Sequence, residues 1–110
     1  NENKLLPHSV TSDTIPTSAG HEDHVSMGPA AAYKLARLMD NLEQILANEW
    51  VCAAQALEYR RPLRFGPGTE RGYSLIREHI KPLKDDRYLA HDLKVAKKLL
   101  TDGRLVKIPG

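Results

Sequence analysis

Between Pro29 and Tyr59 the sequence runs for thirty residues without a proline or glycine, and no other feature restricts the fold as much. Leu35, Leu38, Met39, Leu42, Ile45 and Leu46 recur within it at three- and four-residue steps, the period of one face of an α-helix. The pattern predicts a single amphipathic helix from about Pro29 to about Tyr59, with Pro29 in the first turn, where its missing N–H is harmless. At 1.5 Å per residue such a helix is about 45 Å long. A compact body of this size has a radius of gyration of only about 13 Å. The helix therefore needs neighbours from outside the chain. Its second half points the same way, because Trp50, Val51, Cys52, Ala53, Ala54, Ala56 and Leu57 are spread round the helix rather than along one stripe, as expected inside a bundle. A plain surface helix of a small bundle is the simpler alternative.

The rest of the chain gives shorter signals. Residues 1–20 carry Pro7, Pro16, Gly20 and many hydroxyl side chains, which favour loop over helix, and the sparse Leu5, Leu6, Val10 and Ile15 are expected to dock on structure beyond this chain. Arg60, Arg61, Pro62, Arg64 and Gly66-Pro67-Gly68 form a basic turn. It lacks the spacing of a phosphate cradle, so it reads as a solvated turn. Thr69 is the expected cap of a second helix carrying Tyr73, Leu75, Ile76, His79 and Ile80 and stopping near Pro82. Asp85-Asp86-Arg87 reads as a turn. Asp92 is the expected cap of a third helix with Leu93, Val95, Ala96, Leu99 and Leu100 inside, Lys94, Lys97 and Lys98 outside, and Gly103 as its stop. Arg104 to Gly110 reads as a short extended tail. The expected fold class is all-α, one long helix and two shorter ones, divided into an active-site loop and helix start (1–27) and a helical region (28–110).

At 110 residues one domain is the ceiling, and 41% hydrophobic with 27% charged residues fits a soluble globular chain. A formal charge of +2 excludes nothing but gives no reason to expect nucleic acid or an anionic membrane as partner. The single cysteine, Cys52, has no internal disulfide partner. With Val51, Ala53 and Ala54 beside it, it reads as a packed thiol in a reducing cytoplasm. No stretch approaches a membrane span and no signal peptide opens the chain. The start at Asn1, without methionine, and the unsupported first twenty residues suggest a fragment of something longer.

The chemistry is concentrated before the long helix, in SDTIPTSAGHEDHVSMG (Ser12–Gly28). Here His21, Glu22, Asp23 and His24 crowd a helix start. Acidic groups there complement the helix dipole, so capping explains Asp23; it explains two histidines less well. His21 and His24, three apart, would share a helix face and with Glu22 or Asp23 could hold a divalent metal, but the spacing is not HExxH and no further ligand set completes a site. No metal is expected. Ser18, Ser26 and the histidines define no nucleophile triad, which is a matter of geometry. His8, His79 and His91 read as solvated or hydrogen-bonded structural residues. On these grounds capping and a functional site stand level.

The segment DTIPTSAGHEDHVSMG resembles the C-terminal signature of the histidine ammonia-lyases, within the aromatic amino acid lyase family. The resemblance continues through Ala31-Ala32, Lys34-Leu35, Asp40-Asn41, Ala53-Ala54-Gln55-Ala56-Leu57, Arg61-Pro62-Leu63 and Asp86-Arg87, nearly the whole chain. It implies part of a helical-bundle lyase that eliminates ammonia from L-histidine to give trans-urocanate, a cytoplasmic homotetramer whose active sites combine several subunits. It also implies a methylidene-imidazolone prosthetic group made from an internal Ala-Ser-Gly. This chain has Ser18-Ala19-Gly20 instead, so the fragment alone is expected to be inactive. Glu22 matches the acidic residue near the substrate's imidazole or amino group, and a carboxylate suits a polar imidazole because it accepts charge-assisted hydrogen bonds. His21 stands beside it where Gln is common, also as a substrate-binding residue, while Asp23 and His24 match as structural positions. None of Tyr33, Tyr59, Tyr73 or Tyr88 matches the family's catalytic tyrosine. The other readings are a non-catalytic helical oligomerisation or interaction module, or a lyase or aminomutase acting on another aromatic amino acid.

Overall fold

The computed structural model describes residues 1–10, 15 and 26–107, and every regular element among them is a helix: α1 (Glu2–Leu5), α2 (Gly28–Glu58), α3 (Pro67–Arg77) and α4 (Ala90–Thr101). The all-α class and the long helix are as expected, with α2 running 31 residues. Residues 1–42 and 43–110 form two compact units, α2 contributing to both. None of these helices is long and apolar enough to cross a membrane.

In the first unit the expected loop begins with a one-turn helix. Four residues are too few to hold a helix by propensity, and polar ties to α2 hold α1 instead. The Glu2 carboxylate accepts from Arg37 and from Asn41 Nδ2 (3.1 Å), and the same amide donates to Asn3 Oδ1 (2.9 Å). Lys34 Nζ donates to the His8 carbonyl at 3.0 Å. The ion pair is half exposed on both sides, so it contributes at most about 1 kcal/mol. Val10, expected to want neighbours from beyond the chain, is buried within it, whereas Leu5 and Ile15 remain exposed. Leu6 and Val10 from the N-terminal segment, with Leu35 and Leu38 from α2, line an apolar groove of about 280 Å³.

The second unit holds the core. Ala47 and Ala54 of α2, Ile76 of α3, Ile80 just beyond it and Ala96 of α4 are buried together, with Trp50, Val51, Tyr73, Val95 and Leu100 packed against them. Three alanines at the meeting point let helix backbones approach closely, and Ile76 and Ile80 are the largest fully buried side chains. The inward positions 47, 50, 51 and 54 fall on one stripe of α2. Cys52 lies off that stripe and is exposed, which corrects the packed thiol expected from its apolar neighbours.

Two helix starts differ from expectation. α3 begins at Pro67 after an extended Gly66 (φ −62°, ψ 155°), because proline's fixed φ suits the first helical position; Thr69 falls inside the first turn instead of capping it. α4 begins at Ala90, and Asp92 uses its carboxylate inside the first turn to accept from Arg87 Nε (3.0 Å) and Nη2 (2.8 Å). Gly103 closes α4 with φ +68°, as its position predicted. The tail folds into turns through Lys107 rather than extending, its Lys107 N–H reaching back to the Gly103 carbonyl at 3.3 Å.

Candidate functional site

The site residues expected from sequence, His21 and Glu22, lie outside the described residues, as do Asp23 and His24 beside them. What the structure describes is their downstream flank. The Ser26 hydroxyl accepts the Gly28 N–H at 3.3 Å and the Ala31 N–H bonds back to the Met27 carbonyl at 3.0 Å, so a hydroxyl just ahead of α2 satisfies one of its otherwise open first amides. Asp23, the capping residue expected from sequence, lies outside the described residues.

A second polar constellation, not anticipated from sequence, lies in the second unit. Glu58 at the end of α2 accepts from the Tyr73 hydroxyl and from Arg77 Nε (2.8 Å). Arg77 also donates to the Ile80 carbonyl (3.2 Å) and to Gln55 Oε1 (3.4 Å), and Gln55 exchanges bonds with the Leu83 backbone at 2.8 and 3.1 Å. Arg61 stacks over Phe65 and Tyr73, with 5.3 and 4.8 Å to the ring centroids, and reaches Glu70 at 3.2 Å. The Tyr73 hydrogen bond, followed by Arg77 acting against partial desolvation, holds the Glu58 carboxyl below the usual carboxylate range. A carboxylate so fully engaged is a poor proton acceptor. The group is a clamp joining the ends of α2 and α3, and charged residues on an otherwise apolar helix end were its only trace in the sequence.

Of the other histidines, His79 has its Nδ1 3.1 Å from the Leu75 carbonyl, a local bond along its own chain segment. Among the described residues no three His, Cys, Asp or Glu side chains gather as a metal site. Beside the clamp, Val51, Cys52, Ala56, Tyr59, Ile80 and Leu89 line an apolar groove of about 320 Å³.

Residues 1–78, which take in the site segment, α2 and α3, match the sequence model of the aromatic amino acid lyases. The chain belongs to this family. Two similar aromatic amino acid lyases are the histidine ammonia-lyases of Natranaerobius thermophilus and Symbiobacterium thermophilum, each 48% identical over 105 residues. Those alignments cover 96% of this chain and 21% of the relative. The crystal structure of histidine ammonia-lyase from Trypanosoma cruzi superposes with a TM-score of 0.92 at 39% identity, over 97% of this chain and 21% of that one. This lyase chain therefore spans about a fifth of the length of the relatives it matches. The helical architecture described above is the architecture of the corresponding part of a solved lyase.

Proposed function

We propose that this chain is the C-terminal portion of a histidine ammonia-lyase, which removes ammonia from L-histidine without oxidation to give trans-urocanate. The observation that carries the reading is Glu22 within His21-Glu22-Asp23-His24-Val25-Ser26-Met27-Gly28, inside the span that matches the family. A carboxylate there accepts a charge-assisted hydrogen bond from the substrate's imidazole or ammonium N–H, and His21 beside it supplies a second polar contact. Residues 1–27 form the active-site loop and helix start, and 28–110 the helical region that joins the other subunits of a cytoplasmic homotetramer. Neither nucleic acid nor membrane is a partner in this reading.

The family's methylidene-imidazolone group supplies the electrophile for such an elimination when present. The residues here do not fit its formation, since the 110 residues contain no Ala-Ser-Gly, and no step of this chain's chemistry is routed through it. The electrophile has to come from another part of the lyase polypeptide. A second reading, a helical interaction module without catalysis, is favoured by the face of α2 on which Leu35, Met39, Leu42 and Leu46 are 39–59% exposed.

Urocanate absorbance separates the two. The isolated chain gives no product, a lyase polypeptide carrying this segment gives product from L-histidine, and Glu22→Gln in that polypeptide lowers kcat/KM by roughly 10²–10³-fold. Loss of turnover on L-histidine with an intact electrophile, or an unaffected Glu22→Gln variant, overturns the reading.

A further inference from the structure

Arg71, in the middle of α3, holds one of the two forked edges of its guanidinium in a place where no described residue answers it. Its Nε and Nη2 are closed off from solvent and, among the described residues, have no hydrogen-bond partner. These two N–H groups point the same way and match the two oxygens of a carboxylate. The same protein uses that edge on a carboxylate elsewhere: Arg87 Nε at 3.0 Å and Nη2 at 2.8 Å both donate to Asp92 Oδ2. Nearby acids are already committed. Glu70, next in sequence, goes to Arg61, and Glu58, one face away, goes to Arg77 and Tyr73. Arg71 as a residue is only partly buried, but a guanidinium edge closed off from solvent without an acceptor is unfavourable, which points to an acceptor supplied on assembly.

We propose that Arg71 is a receptor for an Asp or Glu side chain from the part of the lyase polypeptide outside these 110 residues, an inference that rests on the chain being a portion of a longer lyase. Two observations select a carboxylate. The orphaned edge belongs to a cation, and a carboxylate answers both its N–H groups and its charge, which a neutral carbonyl does not. Residues 43–110 carry thirteen Lys and Arg against nine Asp and Glu, a formal +4, so this unit complements an acidic partner.

The test compares Arg71→Met and Arg71→Lys in two settings, the isolated chain and a lyase polypeptide that carries it. In the isolated chain Arg71→Met leaves the melting temperature unchanged or raises it, because it removes an unanswered charge. In the long polypeptide the same substitution lowers the melting temperature and weakens subunit assembly in sedimentation by about thirty-fold or more, and Arg71→Lys does not restore it, since an ammonium has no fork. If the isolated chain does not fold, the Met and Lys variants of the long polypeptide decide alone. Equal behaviour of wild type and Arg71→Met in the long polypeptide, or full rescue by Lys, overturns the receptor. Urocanate formation is read in the same samples: turnover with indifferent Arg71 variants refutes only the receptor, and absence of turnover in wild type refutes the functional reading.

Discussion

Replacing Glu58 with Gln tests whether the clamp at the ends of α2 and α3 holds the second unit together. Gln keeps the size and removes the charge. The wild-type carboxylate accepts from Tyr73 and from Arg77 Nε at 2.8 Å, with side chains only 23% and 10% exposed for Glu58 and Arg77. A hydrogen bond to a charged group contributes about 1.5–3 kcal/mol, and removing one member leaves Arg77 without its counter-charge. Residual solvent access reduces this, so the expected loss at pH 7 is about 2 kcal/mol, or roughly 10 °C in the melting temperature of a unit this size. The pH dependence has a definite sign. Because the Glu58 pKa is lowered in the folded state, chiefly by Tyr73 and then by Arg77, its stabilisation is complete above the unfolded carboxylate value and is lost as pH falls through the folded value. The gap between wild type and Glu58→Gln, measured by urea denaturation at a series of pH values, is therefore constant from pH 7 to about 5 and narrows below about 4.5. A gap below about 0.5 kcal/mol at pH 7, or one that widens in acid, refutes the clamp.

Three further outcomes follow from packing and hydrogen bonding in the second unit. Ile76→Ala empties a fully buried site and lowers unfolding free energy by about 2–5 kcal/mol, whereas Leu63→Ala, 62% exposed, changes it by less than about 0.5 kcal/mol in the same denaturant titration. Gln55→Leu deprives both the N–H and the carbonyl of Leu83 of their partner and costs about 2 kcal/mol, visible as faster hydrogen exchange at the Leu83 amide. Gly103→Ala forces a Cβ into φ +68° and costs about 1 kcal/mol by thermal melting, although open space surrounds the position.

The long helix was legible because thirty residues of unbroken period leave few other structures, and Gly103 was legible because a left-handed helix stop selects glycine. What failed were decisions between two adequate local signals. Thr69 is a good cap and Pro67 a good first residue, and proline prevailed; Asp92 is a good cap but serves better as the acceptor for Arg87. The α1 turn could not have been read locally, since Arg37 and Asn41, more than thirty residues away, hold it. The polar helix start was visible as composition, and only the resemblance singled out Glu22 within it. The Glu58 clamp left no periodic trace, because its members come from two helices and a loop.

α2 buries a narrow alanine-lined stripe in the second unit, while its other face keeps large apolar residues exposed. The Ser26 hydroxyl satisfies the first amide of α2 without using a charge. On this view Ser26→Ala and Glu22→Gln are separable: the first loosens the helix start by about 1 kcal/mol, and the second leaves stability nearly unchanged while removing turnover in the lyase polypeptide. Equal loss of melting temperature in both variants would show that Glu22 helps hold the helix start, and the assignment of capping to Ser26 alone would fail.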